Sequence, residues 1–319
     1  MRLFSQAQYR FIEKRRGAYF VSGTVIAMGI ATMFLNVASL GSWLNYGVDF
    51  LGGSLIQVRF EQQVTAGELR DALGGSEAPP ITQFGSENEF VIRAPLSEDA
   101  SITEVAEQIE GDVTANLPNS GVEVVRTELV GAKVGGELQT KALLAVLLSF
   151  LLTLVYIAVR FEFRFGLAAV IATAHDILIT LGFLAAFRTE ISLPTVAAIL
   201  TILGYSLNDT IVVFDRVREN MKAKGGRKRD PIELVNASIN ETLPRTVLTS
   251  GTTLAVLTAL LVLGGAVIRD FTIVLILGVV IGTYSSIFVA SPALIEIQNR
   301  WGVADPSRKK KERPRPATV

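Results

Sequence analysis

Cysteine is missing from this 319-residue sequence, and histidine occurs once, as His175. Disulfides and thiolate metal sites are thereby excluded, and a histidine-rich metal site with them. Net charge is missing too: 30 Lys and Arg balance 30 Asp and Glu. No bulk positive field invites nucleic acid. Charged residues make up 19% of the chain against 50% hydrophobic ones, and the mean hydropathy is +0.43. An ordinary water-soluble domain of this length is less apolar.

The sequence does have long apolar runs. A helix needs about 20 apolar residues to cross a bilayer. Six stretches qualify: 18–38, 139–159, 165–187, 191–214, 245–268 and 271–295. The first follows a basic arm, residues 1–17. Its apolar run is longer than a signal-peptide core and no small-residue cleavage site follows, so it is expected to be a retained anchor. The arm, the segment 215–244 and the tail 296–319 are all rich in Lys and Arg. Six spans place all three on one side, and the positive-inside rule makes that side cytoplasmic. Segment 39–138 holds 5 Lys/Arg against 16 Asp/Glu and is expected outside, across a bacterial plasma membrane.

Within that outer segment the hydrophobic period changes in an orderly way. SLIQVRF (54–60) alternates like a strand, and TAGELRDAL (65–73) opens on a Thr cap with a helical period. ITQFG (81–85) and FVIRA (90–94) read as strands around a hairpin-like turn at Ser86-Glu87-Asn88. Residues 97–117 read as an amphipathic helix, and VEVVRTELV (122–130) as a last strand. The order β-α-β-β-α-β is that of a ferredoxin-like α+β domain. Two readings stand: a small spacer, or a surface that touches a partner or passing chain. The domain presents no catalytic constellation, and the chain reads as a non-enzyme without cofactor or metal.

Glycine clusters flank the domain, GVDFLGG (47–53) and GAKVGGEL (131–138). Neither matches a phosphate-binding loop. Gly52, Gly53, Gly135 and Gly136 are read as a hinge between membrane and domain, although rigid tight turns would give the same letters.

Ionisable residues inside a bilayer cost at least about 2.5–3.5 kcal/mol and mark functional sites. Here they are Asp209 in the fourth span, His175 and Asp176 in the third, and Arg245 at the start of the fifth. Thr201, Tyr205, Asn208 and Asp209 fall at i, i+4, i+7 and i+8, a spacing that gathers them on one helical face. Thr242, Arg245, Thr249, Thr252 and Thr253 form a second stripe, and Thr173, Asp176 and Thr180 a third; His175 points about 100° away from the last. Gly278, Gly282, Ser285 and Ser286 make a small-residue face that admits another helix. Asp209 and Arg245 come to similar depth. They are either a packing ion pair or a protonatable carboxylate whose proton affinity changes when the arginine moves.

GVDFLGG, the His175-Asp176 pair, GYSLNDTIVVFDRVREN (204–220), TLPRTVLTSGTT (242–253) and GTYSSIFVASP (282–292) together resemble the SecF side of the SecD/SecF family of protein-export membrane proteins, in the resistance-nodulation-division (RND) superfamily. The resemblance covers nearly the whole chain. It implies a six-span α-helical half-transporter with one ferredoxin-like outer domain, paired with SecD. It implies a proton-motive-force-driven role in drawing unfolded preprotein from the SecY/SecE/SecG channel, with YajC, YidC and membrane lipids as further partners and no nucleic acid. The family pattern makes Asp209 and Arg245 the proton-relevant pair, with a SecD carboxylate completing the set. The competing readings are an RND-type exporter of small molecules or lipids and a scaffold without motor activity.

Overall fold

The computed structural model describes residues 8–84, 88–94, 101–160, 162–223, 229–265 and 268–300. The turn expected at 86–88 falls partly, and the first turn of the helix expected from 97, the middle of the basic segment (224–228) and the tail from 301 fall wholly, outside them.

Among the described residues, six helices are long and apolar enough to cross a membrane. They are α1 (Arg15–Leu40), α5 (Ala132–Arg160), α6 (Phe163–Phe187), α7 (Leu193–Lys222), α8 (Pro231–Leu263) and a composite last span. That last span is α9 (Arg269–Ser285), a π-helical turn over Ser286–Ala290 and α10 (Ser291–Arg300). Small residues set the helix contacts. A methyl group on Gly29 of α1 would lie 2.7 Å from Cα of Gly182 in α6. On α9, Gly278 lies against Ile202 and Gly282 against Ser206, both of α7. Glycine removes the Cβ that would hold the backbones apart, so these axes approach closely. α6, α7 and α9 form the buried centre, whereas α5 presents exposed Leu143, Leu147, Leu148 and Leu151 along its length.

The helices reach past the expected spans. α7 continues to Lys222, and α8 already begins at Pro231, capped by Asp230, whose carboxylate accepts from the Ile232 N–H at 3.1 Å. Much of the segment 215–244 expected as a basic loop is therefore helix. Its charges pair along and between the helices: Arg216 bonds Glu219 at 2.7 Å and Glu241 at 2.5 Å. The amino-terminal arm folds onto the same region. Asn236 Oδ1 accepts from the Phe11 and Ile12 N–H groups at 3.0 and 3.1 Å. Asn240 bonds both backbone groups of Tyr9, at 2.9 and 2.8 Å.

The domain after α1 is a four-stranded sheet in the order β3-β4-β2-β5, all neighbours antiparallel. Its strands are β2 (Gly53–Phe60), β3 (Ile81–Gln83), β4 (Glu89–Ala94) and β5 (Val122–Val130), with α3 (Ala66–Ala72) after the first and α4 (Ile102–Asn116) after the third. In domain order this is 2-3-1-4, the ferredoxin-like arrangement. Both helices start on a capping box, Thr65 with Glu68 and Ser101 with Glu104. The inward face of the sheet, including Ile56, Val58, Phe60, Phe90 and Ile92, closes on Leu69 and Val113 of the helices.

Several contacts fasten this domain to the spans. β1 (Asn45–Tyr46) pairs in parallel with β6 (Glu190–Ile191) between α6 and α7. Asp49, in the short helix α2 (Val48–Leu51), accepts from the Leu193 N–H at 2.9 Å, so it caps the start of α7. Arg93 of β4 reaches Glu190 at 3.3 Å. Finally, a Cβ on Gly135 would meet the Phe50 carbonyl O at 2.8 Å. Gly52 and Gly53 have positive φ, 79° and 144°, a backbone that side chains other than hydrogen rarely adopt. Gly135 and Gly136, in contrast, are inside α5 rather than in a connecting loop. Two glycines cost a helix about 1 kcal/mol each, which continuity with a long span outweighs. Gly135 serves close approach to the GVDFLGG turn.

Candidate functional site

Two carboxylates are buried at mid-span. Asp176 of α6 and Asp209 of α7 are 1% and 6% exposed. A buried carboxylate must find donors, and here the donors are hydroxyls from other spans. Asp209 Oδ1 accepts from Thr246 Oγ1 of α8 at 2.8 Å, and its Oδ2 from Ser286 Oγ of the π-turn at 2.8 Å. Asp176 Oδ2 accepts from Ser206 of α7 and from Ser285 of α9, the latter at 2.9 Å. Asp176 Oδ1 lies 2.8 Å from Nδ1 of its neighbour His175.

His175 continues the network toward α1, with Nε2 3.0 Å from Ser22 Oγ. Ser22 is 3.3 Å from the Tyr284 hydroxyl, which donates to the Ala18 carbonyl at 3.1 Å. A neutral imidazole fits both contacts, donating from Nδ1 to the carboxylate and accepting at Nε2 from Ser22. Tyr284 also stacks on the imidazole, with ring centroids 6.2 Å apart. The polar path thus runs from α1 through α6 to α7 and α9.

Of the expected site residues, His175 and Asp176 bond each other, Asp209 is linked to them through the adjacent Ser285 and Ser286 of the last span, and Arg245 joins neither carboxylate. Arg245 is exposed on α8, and among the described residues it makes no ion pair, although it is the cation that acts electrostatically on Asp209. The cause is helical phase. Thr242, Thr246 and Ser250 recur every four residues and are buried. Arg245 is one residue, or about 100°, from that stripe. Thr249 and Thr252 share its exposed side and, with the half-buried Thr253, bond backbone carbonyls of their own helix. On α7, Thr201 and Asn208 are likewise exposed, and the half-buried Tyr205 reaches Ser250 at 3.4 Å.

Sequence reasoning misses Ser22, Ser206, Thr246 and Thr283, and reads Ser250, in TSGTT (249–253), and Ser285 and Ser286 only as packing. A hydroxyl in an apolar run carries no signal of its own. The clue available was the spacing of Thr242, Thr246 and Ser250 opposite a lone aspartate.

Six apolar spans with one inserted ferredoxin-like domain and a polar cluster at their centre define a multi-pass membrane protein of half-transporter type. The model of the family "Protein export membrane protein SecD/SecF, C-terminal" matches residues 111–300, and that of the "SecD/SecF GG Motif" matches residues 37–64. The chain belongs to the SecD/SecF family. A protein translocase subunit SecF from Gemmatimonas aurantiaca is 45% identical over 94% of this chain and 90% of its own length. One from Desulfurispirillum indicum is 43% identical over 91% and 92%. Among solved structures, SecDF from Thermus, described as a translocon-associated membrane protein, superposes with a TM-score of 0.77 at 39% identity. The match covers 94% of this chain and 40% of that one. SecDF in a super-membrane-facing form gives a TM-score of 0.70 at 36% identity, covering 97% and 40%.

Proposed function

We propose that this chain is the SecF half of a SecD–SecF pair that uses the proton-motive force to complete export of unfolded preprotein after the ATP-driven stage at the SecY/SecE/SecG channel. The arm, the α7–α8 connection and the tail face the cytoplasm, and the ferredoxin-like domain faces outward from a bacterial inner membrane. YajC, YidC and lipid are its surroundings. The observation that carries this reading is the setting of Asp209. Its carboxylate is buried between three spans and held by two neutral hydroxyls, and the nearby cation Arg245 is on the exposed side of α8. A guanidinium does not face lipid at low cost. A second chain carrying a carboxylate against α8 would satisfy it, and SecD is that chain. The 40% coverage of the SecDF structures leaves room for such a half.

One proton crossing about 150 mV releases roughly 3.5 kcal/mol. That biases a two-state movement more than about 100-fold, enough to keep a chain from sliding back. Asp209→Asn keeps the shape and removes the titrating group. In vesicles holding the variant with SecD, preprotein release should lose its dependence on a proton gradient while insertion and SecD binding persist. Normal gradient-dependent release would remove Asp209 from the mechanism and favour a scaffold.

A further inference from the structure

Ser286 has one hydroxyl hydrogen and two acceptors within reach. Its Oγ is 2.8 Å from Asp209 Oδ2 and 3.0 Å from the carbonyl O of Thr283, one turn earlier in α9. A single hydrogen serves one acceptor well at a time. We propose that Ser286 is a positioning residue that converts the protonation state of Asp209 into the geometry of the last span. When Asp209 is ionised, Ser286 donates to Oδ2. When a proton binds Oδ2, the new O–H donates to Ser286 Oγ, and the serine hydrogen turns to Thr283. Every polar atom keeps a partner in both states, and only hydrogen positions and the pull on α9 change. The inference rests on the proposed proton-carrying role of Asp209.

The other carboxylate contacts lack this freedom. Thr246 donates to Oδ1 and has no second acceptor among the described hydrogen bonds. Around Asp176, Ser206 and Ser285 each donate, among the described hydrogen bonds, only to that carboxylate, and His175 lies against its remaining oxygen. A proton on Oδ2, the oxygen to which both serines donate, would strand one of them, so this side of Asp176 is a pin. Ser285 is held by the pin, and Ser286, the next residue, carries the switch.

The backbone at this point is already irregular. The π-helical turn begins at Ser286, and Ser291 Oγ donates to the Ser286 carbonyl at 2.8 Å. Such turns are rare and concentrate at functional sites, because they relax the regular ladder. The charged and titratable groups around the switch are Arg245 on α8, Tyr205 on α7, Tyr284 on α9, and Asp176 with His175 on α6.

The test uses the intact complex with SecD in vesicles. Ser286→Ala should lower gradient-driven release about ten- to hundredfold, the range expected for losing one hydrogen bond to a charged group, and displace the midpoint of its pH profile. Ser286→Thr, which keeps the hydroxyl, should restore both. Wild-type rate and pH midpoint in Ser286→Ala would overturn the switch; if Asp209→Asn still abolishes gradient dependence, the proposed function survives that failure. Infrared difference spectra of the wild-type complex with a 13C-labelled Thr283 carbonyl supply the second arm. Acidification should shift the labelled band, and Asp209→Asn should remove the shift. An unmoved band overturns the proposal even if Ser286→Ala does not assemble.

Discussion

Gly29 and Gly182 face each other where α1 crosses α6, and a Cβ on either would fall within 2.9 Å of the other's Cα. Two helix backbones touch there without side chains between them. The same pair of helices carries the Ser22–His175 bond at 3.0 Å. That bond survives only while the axes stay this close.

Gly182→Leu should therefore separate α1 from α6. Overpacking of a tight contact costs about 1–3 kcal/mol, and the melting temperature in detergent should fall accordingly. Gly136→Ala, whose Cβ would meet nothing within 4 Å, should leave it unchanged or slightly raised. Equal effects at the two sites would mean that the α1–α6 crossing is not tight.

Asp176 is the more costly carboxylate to delete. Asp176→Leu would leave Ser206, Ser285 and the His175 Nδ1–H without their acceptor. Each buried orphan group costs about 1–3 kcal/mol, so this variant should assemble poorly. Asp209→Leu strands two hydroxyls, one of which has Thr283 O to turn to, and should be the better tolerated in folding. Accumulation of the two variants in membranes checks the order.

Glu190 should make the fastening of the outer domain sensitive to pH. Its carboxyl is pushed above the usual range, first by burial, then down by Arg93 and up again by Asp270 and Asp49. A carboxyl whose folded value is raised stabilises the fold below its unfolded value, near about 4.3, and loses that contribution as pH rises through the raised value. Over that window, melting measured against pH should fall as pH rises, and Glu190→Gln should flatten the slope. A slope unchanged in the variant would assign the dependence elsewhere.

The proposed orientation can be read chemically because the chain has no cysteine of its own. Glu110→Cys in α4 should react with an impermeant thiol reagent from the outside of cells. Lys222→Cys should react only in inverted vesicles. Labelling of both from one side would overturn the arrangement.

Much of this architecture is written in local patterns. Long apolar runs announce the six spans, and alternation in SLIQVRF with the cap Thr65 announces the ferredoxin-like order. The central position of Asp209, Asp176 and His175 is equally plain, since ionisable groups stand out against leucine. Their partners are not plain. Ser206, Ser285, Ser286 and Thr246 acquire meaning only when three helices converge, and the sequence records the phase of each helix but not their mutual rotation. That is why spacing points to Arg245 beside Asp209 while Thr246, the next residue, holds the contact. The two-residue pair of β1 with β6 is too short to leave a period. Charge hides the helical ends of α7 and α8, because a run rich in Lys and Arg reads as a loop, whereas in the structure pairs such as Arg216 with Glu219 and Glu241 form along and between helices.

The arm beneath the spans closes on residues far ahead of it. Asn240→Leu should free Tyr9 and make the bond after Arg10 a target for trypsin, and Asn236→Ala should do the same by releasing Phe11 and Ile12. Protection equal to that of the unaltered chain would show that other contacts hold the arm.

Those two asparagines also impose a schedule on biosynthesis. Tyr9 is made 231 residues before Asn240, a delay of about 10–50 s at common translation rates. Throughout that interval Tyr9 lacks its asparagine, and α1 waits in the bilayer with its leading end untied. The knot is drawn only when the start of α8 leaves the ribosome, so a chain interrupted before residue 236 carries a loose leader that quality-control proteases can recognise.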